Sequence, residues 1–446
     1  MSAENLLFAD LKIGQHYHRQ HLVRRSDIDM LGMMAGKFEI DGLVKVPATG
    51  IFLFLTATAI NSFPGPGSLI QEHQLQSQGW VEQDDILSLT LTVSSKDEAR
   101  NLVVLEANCE NQHGIQLCTG PIYVIAPTTS QKSEYAEAPQ FTLRAHHVFA
   151  HLREKTDQLA PVPTAVVHPC DRDSLLGAMQ AAQENLIIPI LVGPEAKIRA
   201  VAQAEGISLT GVRIVGAEHS HASAHKAVEL CRLGEAQALM KGSLHTDEMM
   251  SEVMCSATGL RTARRISHVF VMDVPAYERA LLVTDAAINI APNLTDKVDI
   301  TQNAIDLAHI LGIECPKVAL LSAVETVTDK MPSTMDAALL CKMADRGQIH
   351  GAILDGPLAF DNAISMAAAK TKKINSPVAG QADILVVPDI EAGNMLAKQM
   401  SYFAAADSAG IVLGARVPIV LTSRADDVKT RLASAAVMVL VAHAMK

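Results

Sequence analysis

From about residue 145 to the C-terminus, apolar runs of strand length alternate with amphipathic stretches of helix length. No other feature of this 446-residue chain restricts its fold as strongly. Helical periodicity over 173–185 precedes an apolar run at 187–192, that over 195–204 precedes 212–215, and that over 220–233 precedes 238–240. Further strand-length runs lie at 268–272, 281–284, 318–321, 351–354, 384–387 and 418–421. Strands joined by crossover helices pair in parallel and are covered on both faces, so the region is expected to be an α/β/α sandwich. Aromatic residues make up only 4% of the chain while Ala, Leu, Val and Ile are plentiful, which suits packed α/β layers better than a β-sandwich.

Most of these runs end in a polar cluster, and in open α/β sheets ligands bind outside the carboxyl ends of strands. Five ends are unusually polar: Lys241-Gly-Ser-Leu-His-Thr246, Thr284-Asp-Ala-Ala-Ile-Asn289, Asp355-Gly-Pro-Leu-Ala-Phe-Asp361, Pro388-Asp-Ile-Glu-Ala-Gly-Asn394 and Thr422-Ser-Arg424. Lys241-Gly242 could bind phosphate but lacks the spacing of a nucleotide P-loop. Asp285 and Asp355 could equally be solvated turn residues. In the last cluster an apolar run, 417–421, breaks into Thr422-Ser423-Arg424 and opens a helical pattern from about Asp426 to the C-terminus. Free N–H groups and the helix dipole favour an anion there, and arginine adds a planar fork that grips phosphate in two places. The plainer alternative is that Ser423 or Asp426 caps the helix and Arg424 is solvated.

Taken in order, Met240-Lys-Gly-Ser-Leu-His-Thr, Ile266-Ser-His-Val-Phe-Val-Met, Asp285-Ala-Ala-Ile-Asn-Ile, Asp355-Gly-Pro-Leu-Ala-Phe-Asp, Ile390-Glu-Ala-Gly-Asn-Met and Leu421-Thr-Ser-Arg resemble the phosphate acetyl/butyryltransferases over about residues 145–446. The resemblance implies an α/β fold of the isocitrate/isopropylmalate dehydrogenase type, two subdomains with a cleft. It implies reversible transfer of a short acyl group, acetyl or butyryl, between CoA and inorganic phosphate, giving acyl phosphate and CoA. A base deprotonates the CoA thiol, the thiolate attacks the acyl phosphate carbonyl, and phosphate leaves. No cofactor, metal or covalent acyl-enzyme is required.

The resemblance assigns roles residue by residue. Arg424 would clamp the phosphate, and Ser423 would hydrogen-bond the phosphate or the developing oxyanion. Lys241, Arg261 and Arg265 would hold phosphate or the CoA pyrophosphate, unless they are solvated surface cations. Ser243, His245, Thr246, Asp285, Asn289, Asp355, Asp361 and Asn394 fall inside or beside the matching motifs and are expected at the substrate site. The family's proposed base is an aspartate seven residues after the serine, a position held here by Thr430. Asp426, four residues earlier and on the same face of a helix, is the expected substitute, against a capping role for it and a base elsewhere such as Asp355 or His245. The Asp355-Gly-Pro-Leu-Ala-Phe-Asp-Asn362 and Ser423-Arg-Ala-Asp426 variants look closer to the butyryl side.

Residues 1–127 have a different texture. A short helix-like segment at 28–34 and an apolar run at 51–60 lead to a turn-forming Phe63-Pro-Gly-Pro-Gly67, then to strand candidates at 69–74, 86–94, 102–108 and 116–125, an α+β unit. Arg25-Ser-Asp-Ile-Asp-Met-Leu-Gly, Phe63-Pro-Gly-Pro-Gly-Ser and Cys118-Thr-Gly-Pro-Ile-Tyr-Val resemble the hotdog fold of MaoC-like enoyl-CoA hydratases. In that family a Gly-Asp-x-Asn-Pro-x-His segment supplies the acid–base pair. The corresponding run here, Gly36-Lys-Phe-Glu-Ile-Asp-Gly42, places Lys37 at the Asp position and Gly42 at the His position, so the catalytic motif is degenerate. Glu39 or Asp41 would have to be re-aimed to replace it. A polar, proline-punctuated linker is expected over 128–144.

The net charge of −11 and the absence of a basic tract argue against nucleic-acid binding, while Lys241, Arg261, Arg264 and Arg265 concentrate positive charge locally, as an anionic substrate requires. Seven cysteines with no Cys-x-x-Cys pair read as reduced thiols, no signal peptide is visible, and no apolar run is long enough to span a bilayer, so a cytoplasmic protein is expected. The hotdog resemblance implies a homo-oligomer, a dimer or higher. His147/His151 and His221/His225 have i, i+4 spacing, the second pair with Glu218 and Glu229 on its face, but one helix face rarely closes a metal site and structural roles are expected. Two other classes compete with acyl transfer: a non-catalytic acyl-CoA-sensing or scaffolding module, which Thr430 favours and the intact Ser423-Arg424 and Lys241-to-Thr246 segments disfavour, and a bifunctional enoyl-CoA hydratase/acyltransferase, which Lys37 and Gly42 disfavour.

Overall fold

The computed structural model describes residues 3–24, 27–28, 30–32, 36, 38–40, 43–133, 148–422 and 426–445. The chain divides into two compact units, Met1–Arg144 and Ala145–Lys446.

In the first unit the apolar run after Gly50 becomes a helix, Ile51–Asn61, which buries Ile51, Leu55, Thr58 and Ala59. Its threonines are accommodated because their hydroxyls donate back to the carbonyls of Phe52 (2.7 Å) and Phe54 (2.6 Å). An antiparallel sheet wraps it, with His16–Leu22, Ile86–Asp97, Leu102–Glu110, Gln116–Ile125 and Leu69–His73 in that order across the sheet. Strict alternation in Ile86–Asp97 sends Leu87, Leu89, Leu91 and Val93 into the core, against Leu55 and Ile51. A buried helix wrapped by an antiparallel sheet is the hotdog arrangement. The strand His16–Leu22 was not expected from the sequence. Lys37, Asp41 and Gly42 of the degenerate motif lie outside the described residues. Lys132–Ser133, within the expected linker, pairs with Ala3–Glu4.

The second unit is built on an eleven-stranded sheet. Its strands are β1 (Val162–Val167), β2 (Ile187–Gly193), β3 (Arg213–Gly216), β4 (Ala238–Lys241), β5 (Ser267–Asp273), β6 (Leu281–Thr284), β7 (Lys317–Leu321), β8 (Ile353–Leu358), β9 (Ile384–Val386), β10 (Asp407–Leu413) and β11 (Ile419–Val420). They lie in the order β3-β2-β1-β4-β11-β10-β5-β6-β9-β7-β8. The expected all-parallel pairing is corrected at the centre of the sheet. β3, β2, β1, β4 and β11 are parallel to one another, and so are β6, β9, β7 and β8. Between these sets β10 pairs antiparallel with both β11 and β5, and β5 pairs antiparallel with β6. The two halves of the sheet therefore run in opposite directions. The connection from β5 to β6 is too short for the crossover that parallel neighbours need, which demands a dozen residues or more.

The C-terminal helix, Val428–Ala444, is apolar almost all round and is buried from Ala433 to Ala442. It packs on β10 and on the helices Val148–Thr156 and Arg172–Gln183. Its N-cap is Asp427, whose carboxylate accepts from the Thr430 N–H at 2.8 Å, in place of the expected Ser423 or Asp426.

Candidate functional site

Over the antiparallel centre of the sheet lies a cleft of about 720 Å³ lined by Thr246, His268, Phe270, Ala287, Asn394 and Thr422, among others. His268 and Phe270 are two apart on β5, so their rings share one face, edge to face at 4.4 Å. Thr246 opens the helix Thr246–Val253 that follows β4, and Ala287 belongs to the loop after β6. Asn394 sits in the first turns of the helix Ile390–Phe403, and Thr422 follows β11. Four of the five polar strand ends thus contribute a residue to one cavity. The fifth does not, because β8 is the far edge strand of the sheet. The Asp355 carboxylate there accepts from the N–H of Gly356 at 2.8 Å, and Asp361 pairs with Lys372 at 3.4 Å.

Two buried cations converge on Thr422. Lys241, 3% exposed at the end of β4, donates from Nζ to the Thr422 carbonyl at 3.4 Å. Arg431, 4% exposed in the last helix, donates to the Thr422 hydroxyl at 2.8 Å. Arg431 fits because residue 177 is glycine: a Cβ there would stand 2.7 Å from the Arg431 Cδ. Charges held out of water are screened less, so both cations add positive potential at Thr422, a lining residue of the cleft. Ser423 and Arg424, which continue from Thr422, lie outside the described residues. Sequence reasoning missed Arg431, which follows Lys429 in what reads as an ordinary charged first turn of a helix.

Several expected residues are spent on holding loops. Ser243 donates to the His168 carbonyl (2.9 Å) and accepts from the Cys170 N–H (3.2 Å), tying the loop after β4 to the loop after β1. Gly242 makes this approach possible, since a Cβ would fall 2.3 Å from the Val167 carbonyl oxygen. His245 is the N-cap of the helix after β4, and its N–H donates to Glu248 at 2.8 Å. Asp285 is buried within its own loop, accepting from the N–H groups of Ala287 (2.9 Å) and Ile288 (3.0 Å) and from the Asn289 side chain. Burial raises its carboxyl above the ordinary value, opposed by those donors. Asn289 also donates to the Ile266 carbonyl (2.9 Å) and accepts from Arg265 Nε (2.7 Å). Asn394 donates to the Ala286 carbonyl at 3.1 Å, which docks its helix on the same loop.

Arg261 and Arg265 line a second cavity of about 480 Å³ with Asn289, Asp296 and Asp299. Arg265 is already paired with Asp296 at 3.3 Å. Neither arginine lines the cleft that holds Thr246 and His268.

The expected relation between Asp426 and Thr430 is corrected. Asp426 precedes the N-cap, so it does not stack one turn below Thr430, and i, i+4 geometry does not apply. Thr430 lines a separate pocket with Phe149, Arg153, Asp407 and Lys429, one that shares no lining residue with the cleft. Asp426 itself is half-buried on the segment between Thr422 and the helix. His221 and His225 reach across to Glu248 (3.3 Å) and Glu252 (3.0 Å) on the next helix. Among the described residues no group of three or more His, Cys, Asp or Glu side chains is placed to hold a metal ion. None of the described helices is long and apolar enough to cross a membrane.

Residues 217–439 match the family model for phosphate acetyl/butaryl transferase. The chain is 65% identical over 283 residues to a phosphate acetyltransferase of Rhizobium meliloti, covering 64% of this chain and 90% of that protein. It is 41% identical over 292 residues to a phosphate butyryltransferase of Clostridium acetobutylicum, covering 65% and 96%. The crystal structure of a branched-chain phosphotransacylase from Enterococcus faecalis V583 superposes with a TM-score of 0.56 at 32% identity, over 63% of this chain and 99% of that one. The chain is an acyltransferase and belongs to the phosphate acetyl/butaryl transferase family.

Proposed function

We propose that the protein transfers an acetyl group reversibly between CoA and inorganic phosphate, with butyryl as the slower alternative. The observation that carries this reading is the meeting of four polar strand ends at one cleft, with the buried Lys241 and Arg431 both holding its lining residue Thr422. The preference for acetyl is supported by 65% identity to an acetyltransferase against 41% to a butyryltransferase, and it departs from the butyryl-like local motifs. In the forward direction a CoA thiolate attacks the carbonyl carbon of acetyl phosphate, a C–S bond forms, and the C–O bond to phosphate breaks as its electrons leave with the phosphate. Ser423 and Arg424 stand directly after Thr422 and take the phosphate and the developing oxyanion. Lys241 acts one step behind them, holding the Thr422 carbonyl and adding positive potential. Asp285 and Asn289 shape the wall that Ala287 presents, and Asn394 anchors the opposite helix.

Asp426 is the proposed acceptor of the thiol proton. Its case now rests on its place in the segment between the cleft and the last helix, and Thr430 has no part in it. Asp426→Asn should lower acetyl transfer at least tenfold; unchanged turnover returns the role to another group. The cytoplasm is the proposed compartment, supported by seven cysteines that are all free thiols. A homodimer is the proposed state, supported by the exposed Tyr402 and Phe403 at the end of one helix.

CoA-dependent phosphate release from acetyl and butyryl phosphate tests the central claim. The expected result is turnover of both with acetyl faster. Absence of transfer from either overturns it.

A further inference from the structure

His268 is fully buried, and neither of its ring nitrogens has a hydrogen-bond partner. A buried polar atom left unpaired costs about 1–3 kcal/mol, so a core position holding two of them needs a reason. Packing does not supply it. The ring sits against Phe270, in a space kept open by Gly410, where an added Cβ would come 3.0 Å from His268 Nε2. A leucine would fill that space with no polar atom to satisfy. Burial also pushes the imidazole down to about 3, opposed by the Leu421 backbone, which does not reach hydrogen-bond geometry with the ring. The ring is therefore neutral at neutral pH, with one N–H donor and one lone pair.

The position of the ring points to what completes it. His268 lines the same cleft as Thr246, Asn394 and Thr422, and Leu421 and Thr422 lead directly into Ser423-Arg424. The ring borders the cleft and its nitrogens have no hydrogen-bond partner on the protein, so a ligand seated there is the candidate for the partner they lack. An acyl phosphate presents only oxygen acceptors, which match a neutral imidazole N–H.

We propose that His268 is a further catalytic residue of the acyl transfer, donating its ring N–H to an oxygen of the acyl phosphate as charge builds on it. A donor aimed at developing charge in a dry site is typically worth roughly 10²–10³ in turnover. The proposal rests on the phosphate acyltransferase reading and adds to it a donor from β5.

The test compares His268→Leu, His268→Asn and His268→Gln in the full-length protein, with wild type assayed alongside. The expected result for His268→Leu is a fall in kcat of roughly 10²-fold with KM for CoA little changed, together with a raised thermal midpoint, since two unpaired polar atoms are gone. Either Asn or Gln, whose amide N–H occupies part of the place of one ring nitrogen, should recover part of the loss. A His268→Leu protein that is more stable and as active as wild type overturns the proposal, as does equal loss in all three variants with lowered stability, which marks a packing role. Wild type that releases no phosphate from any short acyl phosphate sinks the underlying reading instead, so the two failures are separable.

Discussion

Protonation of His268 is opposed in the folded protein whatever the ring does in transfer, and this has a measurable signature. Its ordinary value of 6.5 drops to about 3 on burial. Between those values the unfolded chain binds a proton that the folded one does not, so the contribution is intact above about pH 6.5 and is lost as the pH falls toward 3. Thermal melts from pH 8 to pH 4 should show wild type losing stability faster than His268→Leu below about pH 6.5, with a constant offset above it. Parallel curves throughout would mean that the ring is solvated or paired. At this scale the sequence was informative about residue type and poor about direction. Lys241 and Thr246 could be placed because a strand end followed by a helix start has few geometries. Asp285 could not, because a carboxylate turned back onto its own loop and one turned outward read the same in sequence. Arg431 was invisible for a related reason: only the glycine at 177, far away in the chain, makes room for it.

The helix Ile390–Phe403 shows how closely an element must seat for the cleft to exist. A Cβ on Gly393 would stand 2.8 Å from Val387 Cγ2, 2.9 Å from the Asp285 carbonyl oxygen and 3.0 Å from Ala286 Cα. Two of those contacts are backbone, which cannot rotate aside. Gly393→Ala should therefore cost about 1–3 kcal/mol in urea unfolding and lower kcat/KM by lifting Asn394 from Ala286. A variant with unchanged stability and rate would show that the loop yields. Elements were legible where periodicity was strong, as in the alternation of Leu87, Leu89, Leu91 and Val93 or the run that became β11. β10 escaped because Ser408, Ala409 and Gly410 carry little β-propensity, and its place is secured by two neighbours instead. The direction of β5 and β6 was recoverable in principle, since the stretch between them is too short to cross over.

Across the whole molecule the two compact units each carry their own core. Residues 145–446 expressed alone should retain acetyl transfer within about threefold of the intact chain, and the intact chain should hydrate crotonyl-CoA no faster than buffer. Substantial hydration would show that Glu39, Asp41 or another group has replaced the pair absent at Lys37 and Gly42. The reversed sheet has one more consequence, for synthesis. The half made of β6 to β9 is continuous in the chain, whereas the half that begins with β1 receives β11 and the C-terminal helix only at the very end. A ribosome making this protein would release the later half first as a finished piece, while the earlier half waits, its edge on β4 open, until the last residues emerge.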